Sequence, residues 1–334
     1  MARERLRGSL CGNSLTAGVC LVLTIVTTCK GRLSYLKQSL PTMIGTGLPV
    51  VVVDYDCPDG TKYYVEQHFT RVKVVAIKGK DNFNLSQARN LGAAEVTTDF
   101  VGFFDCDVLI GAAFLDELQG IALSEDRFYV AGNCDLHGQC IVAKSAFDKV
   151  GGYDEAIASW GGEDGDLYYR LQAIGCLRQA LAPGVVSTLG HTDHERIKYT
   201  GGDDLLRSHR HNVAYAMMRR DMERLTPGGP LHLDERKKIR ELVIRGFAAA
   251  KKSGRPYVIE WQLPRELDDV DYLLDGTTGY SLGRVMRYEI RRVPPSLPIR
   301  LLSAIREGRI LSAFRRRIRA LLSRRAVNSP NAGH

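Results

Sequence analysis

Apolar, β-branched runs recur through the first third of the chain at VCLVLTIV (19–26), PVVVV (49–53), VKVVAI (72–77) and FVGFF (100–104). The stretches between them place apolar residues at helical spacing, so the pattern predicts strand, helix, strand, helix, repeated. Runs that are apolar on both faces are what parallel strands look like when helices cover both sides of a sheet. The expected fold class is therefore α/β, with a mostly parallel Rossmann-like central sheet flanked by helices. Ligands bind such sheets at the carboxyl ends of the strands. Those ends carry TTCKGR (27–32), DYDCPDGT (54–61) and DCD (105–107), which gathers polar and acidic residues along one sheet edge.

Beyond residue 138 the pattern turns Gly-rich and then helical, through GGYDE (151–155), WGGED (160–164) and DGDLYYRLQAIG (164–175). Residues 234–252 read as a charged helix, 254–298 as a mixed segment with five prolines, and 299–326 as a last helix. The expected organisation is a catalytic domain over 18–225, an accessory C-terminal region over 226–298 and an Arg-rich amphipathic helix over 299–326. Residues 1–17 and 327–334 are expected to be flexible.

Charge changes this picture only at the end of the chain. The net charge is +8, but residues 299–326 hold nine Arg and one Glu, which leaves 37 basic and 37 acidic residues in the rest. A basic tail on a neutral body argues for a local surface contact rather than a nucleic-acid groove, and no nucleic-acid partner is expected. Leu301, Ile305, Ile310, Leu311, Phe314, Ile318, Leu321 and Leu322 recur at three- to four-residue intervals among those arginines. Such a helix suits the headgroup region of an anionic membrane; a solvated helix packed on the body is the alternative, as is an RNA-binding arm.

The eight cysteines are scattered, with neither a CxxC pair nor zinc-site spacing. A reducing, cytoplasmic setting is expected, peripheral to the membrane if the tail binds it. Arg3, Arg5 and Arg7 ahead of residues 19–26 imitate a signal peptide, but the run is short and leads into the first strand. No stretch reaches the ~18 apolar residues of a membrane-spanning helix.

Three constellations carry chemistry. Asp105-Cys106-Asp107 closes a buried strand, where two carboxylates at alternate positions can reach a hard divalent cation; a solvated turn is the alternative. Trp160-Gly161-Gly162-Glu163-Asp164 introduces a helix. Tandem glycines allow close backbone approach to a ligand, one acid can serve as general base, and the indole offers a face for a sugar ring; otherwise the segment is a capping acid beside a core tryptophan. Gly190-His191-Thr192-Asp193-His194 follows the strand-like PGVVSTL (183–189), and His191, nearest the strand end, can complete a carboxylate site for manganese.

In the order DCD, WGGED, GH, these motifs resemble the GT-A glycosyltransferases of family 2 type over about residues 20–225. NLSQARNLGAAEVTTDFVGFFDCDV (84–108) reads like the helix and strand that lead to the metal motif. GGYDE, and WGGED with a downstream His, are similar to the β-1,4-galactosyltransferase and polypeptide N-acetylgalactosaminyltransferase branches. The resemblance implies that Asp107 and His191 hold a divalent metal, normally Mn²⁺ with Mg²⁺ as the alternative, and that Asp105 contacts the donor ribose or the metal. It makes Asp164 the general base of an inverting transfer, with Glu163 and Trp160 lining the sugars. Thr27, Thr28, Arg32, Asp54 and Arg89 occupy places that bind the nucleoside in that family. The chain departs from the family's two consecutive Asp after the second strand, reading Asp54-Tyr55-Asp56, so either acid is a candidate for the base.

The implied activity is inverting transfer of a hexose or N-acetylhexosamine, galactose- or GalNAc-like, from a UDP-sugar to the hydroxyl of a glycan or lipid-linked acceptor, in cell-surface polysaccharide or glycolipid synthesis. Competing readings are a retaining transferase of the same fold, a nucleotidyltransferase, for which TTCKGR is a poor triphosphate loop, and a non-catalytic GT-A scaffold.

Overall fold

The computed structural model describes residues 23–131, 136–190, 192, 195, 198–201, 204–225, 230–262 and 285–291. The chain divides into two compact units among these residues. The first runs through Ile244, and the second comprises Arg245–Gln262 with residues 285–291. The Arg-rich segment 299–326 lies outside the described residues, as do 1–17 and 327–334. Among the described residues no helix is long and apolar enough to cross a membrane.

In chain order the first unit forms β1 (Leu23–Cys29), α1 (Leu33–Ile44), β2 (Val50–Tyr55), α2 (Thr61–His68), β3 (Lys73–Ile77), α3 (Leu85–Ala94), β4 (Phe100–Phe103), β5 (Val108–Ile110) and α4 (Phe114–Ile121). It continues with β6 (Arg127–Ala131), β7 (Cys140–Ala143), α5 (Lys144–Lys149), α6 (Glu163–Ala173), β8 (Leu177–Leu181), β9 (Val186–Thr188) and α7 (Leu205–Leu225). Helix α8 (Leu233–Ser253) follows, and then β10 (Tyr257–Gln262) and β11 (Val285–Ile290), which pair antiparallel in the second unit.

The main sheet has the order β3-β2-β1-β4-β7-β6-β8. Strands β1 to β4 pair in parallel, with Ile25 opposite Val50 and Leu23 opposite Phe100. The hairpin-like β6 and β7 are antiparallel to each other, and β7 runs against β4. This is a mostly parallel, Rossmann-like α/β sheet. The continuous apolar runs have their expected consequence: every residue of β1, β2 and β4 is buried. At the sheet edge β3 is half-exposed, which tolerates Lys73 within its run.

Helix α3 covers β1 and β2, and its close approach depends on a missing side chain. A Cβ on Gly92 would stand 2.4 Å from Val26 Cγ1. Asn84 caps the helix by accepting from the Gln87 amide at 3.0 Å, the ordinary role of an Asn at a helix start. Arg89, one turn further along, is thereby carried under the ends of β1 and β4.

Candidate active site

A cleft of about 770 Å³ opens at the carboxyl ends of β1 and β4 and is closed on its other side by α6 and α7. Strand β4 ends at Phe103, and Asp105-Cys106-Asp107 then turns out of the sheet into β5. Ser39 on α1 donates to the Cys106 carbonyl at 2.6 Å, and the Leu189 amide donates to the Asp107 carbonyl at 2.8 Å, so the turn is pinned from both sides.

Asp105 is clamped by Gln139, whose Oε1 accepts from the Asp105 amide at 2.8 Å while its Nε2 donates to the carboxylate at 3.0 Å. The decisive contact is made by Arg89, which is 2% exposed. Its guanidinium meets Asp105 at 3.0 Å and Asp164 at 2.6 Å, with Gly138 O at 3.3 Å and the Tyr153 ring 5.0 Å away. Two motifs far apart in sequence thus share one buried cation. Burial pushes the Asp105 carboxyl up, but the Arg89 charge and the Gln139 hydrogen bond outweigh it and hold the group below the usual carboxylate range. Asp107, also buried, pairs with Arg32 at 3.3 Å, and Arg32 donates as well to the Glu195 carbonyl at 3.1 Å.

The second wall is set by the loop that enters α6. Gly161 and Gly162 have φ of +86° and +99°, a region that side chains disfavour. A Cβ on Gly161 would come within 3.0 Å of His209, and one on Gly162 within 3.2 Å of Asn212, so the loop lies flat on α7. Asn212 donates to the carbonyls of Ala158 and Gly161 at 3.1 and 2.7 Å, and the Ser208 hydroxyl accepts from the Trp160 amide at 3.0 Å. Glu163 opens the helix with a buried carboxyl whose Oε2 has no hydrogen-bond partner. Burial, and then the neighbouring charge of Asp164, raise its pKa to about 8. At neutral pH Glu163 is therefore protonated, while Asp164 is the acid joined to a cation.

Residues 24–163 match the model for glycosyl transferase family 2, and residues 132–195 match that for the N-terminal domain of galactosyltransferase. Over residues 24–195 the chain is thus similar to family 2 glycosyltransferases and to galactosyltransferases. The chain is 28% identical to the pre-mycofactocin glycosyltransferase of Mycobacterium tuberculosis, over 46% of the chain and 39% of that protein. It is 24% identical to the hyaluronan synthase of Pasteurella multocida, over 46% of the chain and 23% of that protein. The chain therefore spans well under half the length of the curated relatives it matches. Among solved structures, GalNAc-T7 with UDP, GalNAc and Mn²⁺ is 16% identical with a TM-score of 0.47, covering 70% of this chain and 58% of that one. Drosophila β1,4-galactosyltransferase 7 with xylobiose is 16% identical with a TM-score of 0.40, covering 55% and 75%.

The cleft brings together Thr28, Arg32, Arg89, Asp105, Asp107, Trp160, Glu163 and Asp164. Three other residues named from sequence stand elsewhere. Thr27 is fully buried, with its hydroxyl unpaired. Asp54 spends both carboxylate oxygens on backbone amides, those of Cys57 and Lys62, each at 2.7 Å, which fixes the turn into α2. Asp56, at φ +51°, accepts from the Lys80 amide at 2.9 Å. His191 lies outside the described residues, and among those described no three ligating side chains converge. Sequence reasoning missed Gln139, Ser208 and Asn212. Gln139 offers a faint signal as a polar residue heading a buried strand, whereas the other two are ordinary polar residues of a helix.

Proposed function

We propose that the chain catalyses inverting transfer of a hexose or N-acetylhexosamine, galactose- or GalNAc-like, from a UDP-sugar to the hydroxyl of a glycan or lipid-linked acceptor. The observation that carries this reading is the Arg89 bridge, which places the acid of the DCD turn and the acid of the WGGED helix on opposite arms of one guanidinium.

A donor diphosphate would enter a lining whose described residues include five carboxylates, beside the protonated Glu163, against four Lys and Arg side chains. The excess of carboxylate favours a divalent cation there, and the hard oxygens of Asp105 and Asp107 suit manganese or magnesium. Asp107 and His191 would hold it, with Asp105 on the metal or the donor ribose. The cation would supply charge neutralisation for the departing diphosphate.

The chain's own residues do the rest. Arg32, in reach of Asp107 at the cleft wall, positions the diphosphate side of the donor. Asp164, aimed by Arg89, accepts the proton of the acceptor hydroxyl as that oxygen attacks the anomeric carbon from the face opposite the diphosphate. The anomeric C–O bond breaks as the new one forms, and the electron pair leaves on the diphosphate. Glu163, protonated, donates a hydrogen bond to a sugar hydroxyl, and Trp160 offers its ring face. Synthesis of a surface polysaccharide or glycolipid on the cytoplasmic side of the membrane is the setting this reading favours, and the five free thiols among the described residues agree with a reducing compartment.

Asp164→Asn tests the reading. Transfer should fall by about a thousandfold or more, while donor affinity stays within about threefold, because only the proton acceptor is lost. A donor panel assayed in manganese identifies the sugar. Equal loss of donor binding and transfer in Asp164→Asn would remove the residue from its assigned role.

A further inference from the structure

Helix α7 presents two unlike faces. One is buried and polar in its contacts: Ser208 and Asn212 bond the WGGED loop, while Tyr215 and Arg219 bond Asp154. The other carries Leu206, Val213 and Met217 at 56%, 39% and 60% exposure, spaced seven and then four residues apart, so they form one stripe along the helix. Val213 and Met217 line the same cleft as Trp160 and Asp164. Scattered apolar side chains on a surface need no explanation, but a stripe that runs into a site does.

We propose that this stripe is an aglycone subsite, and that the acceptor carries an apolar group, alkyl or aromatic, next to the sugar whose hydroxyl reacts. The inference rests on the transferase reading of the cleft and adds the chemical class of its acceptor. Continuity with the site argues for the occupant: Val213 and Met217 share one cleft with Trp160 and Asp164, and α7 is held by the loop that leads into the helix of Asp164. At the cleft, Arg220 of α7 is paired with Asp166 at 3.3 Å and stacked on the Tyr169 ring at 3.8 Å, and His209 packs beside Trp160. What Val213 and Met217 offer a ligand there is apolar surface, beside a rigid wall.

The test is calorimetric titration of the full chain, in the presence of UDP and MnCl₂, with methyl, n-hexyl and phenyl β-D-glucopyranoside. The sugar is constant across the set, so differences report the aglycone alone. Hexyl glucoside should bind about tenfold or more tightly than methyl glucoside. A Val213→Ser, Met217→Ser double substitution should bring the two within about twofold, while Leu177→Ser, an equally exposed leucine on β8, keeps the preference. A larger gain from hexyl than from phenyl identifies an alkyl source, and the reverse an aromatic one. Failure of both probes to outbind methyl glucoside, or a preference that survives the double substitution, overturns the proposal. Hydrolysis of a panel of UDP-hexoses and UDP-N-acetylhexosamines by the native chain in manganese reports separately on the transferase reading. Its absence with the aglycone preference intact would refute that reading alone.

Discussion

The two walls of the cleft are held by different physics. On the strand-end wall, Thr28, Asp105 and Asp107 sit where they do because β1 and β4 are buried, and each fully buried Val, Leu or Ile contributes roughly 1.5–3 kcal/mol. On the helical wall, α6 and α7 are joined by buried charge. Arg219 bridges Asp154 and Asp166 at 2.6 and 2.8 Å, Arg236 reaches Asp154 at 2.8 Å, and Arg170 reaches Asp166 at 2.9 Å. Buried ion pairs add little net stability, yet losing one partner strands the other, so they specify one arrangement without deepening it much. The wall that carries the proposed base is thus rigid in position and intolerant of change.

The largest stability effect expected on that wall is Arg219→Ala. It leaves Asp154 and Asp166, both buried, short of a shared cation, and should cost about 3–5 kcal/mol by urea unfolding. A loss no larger than that of a surface substitution would mean that the remaining arginines carry the network alone.

Glu163→Gln comes next and separates charge from packing. In the unfolded chain the carboxyl titrates near its ordinary 4.5, whereas burial, and then Asp164, raise it to about 8 in the folded state. Between those values the folded protein keeps a proton that the unfolded chain has released, so stability falls as pH rises from about 4.5 to about 8. The glutamine cannot release that proton, so the variant should gain on the native protein across this window, by on the order of 2–4 kcal/mol above its upper end. Parallel stability profiles from pH 5 to pH 9 would count against a buried, protonated Glu163.

On the strand-end wall the comparable probe is steric. Gly92→Ala puts a methyl group 2.4 Å from Val26 and 3.0 Å from Val53. Overpacking costs about 1–3 kcal/mol, and the better helix propensity of Ala returns up to about 1. A net loss near 2 kcal/mol is expected, with no change in pH dependence, as calorimetry at two pH values would show. A stabilised variant would mean that α3 moves off the sheet freely.

The same division explains what could be read from the sequence. The apolar runs of β1, β2 and β4 are local and periodic, so the parallel sheet and the polar residues at its ends were visible. Asp105, Asp107 and Asp164 could be named because their motifs are contiguous. The network around Arg219 follows no period. Arg219 is one of several arginines in RRDMERL, and nothing local marks it as the buried one. Asp54 shows the converse: an acid at a strand end fits a ligand role from sequence, yet two backbone amides of the next turn occupy it. The division between compact units falls inside the charged helix α8, after Ile244, and the first half of that helix supplies Arg236 and Arg240 to the first unit.

The smallest effect gives the cleanest comparison of the walls, since Tyr→Phe removes one hydroxyl and keeps the ring. Tyr215 donates to the Asp154 carboxylate at 2.6 Å, and Tyr55 donates to the neutral Gln87 side chain at 2.5 Å. Hydrogen bonds to charged groups are worth about 1.5–3 kcal/mol and neutral ones about 0.5–1.5. Asp154 retains Arg219, Arg236 and the Ala156 amide after the change, which places Tyr215→Phe at the low end, near 1.5 kcal/mol. Tyr55→Phe, whose partner can turn toward solvent, should cost about 0.5 kcal/mol. Chemical denaturation of the two variants side by side resolves a difference of that size. If they lost equal stability, the charge on Asp154 would already be fully satisfied by its arginines, and the helical wall would hold its position by packing rather than by ion pairing.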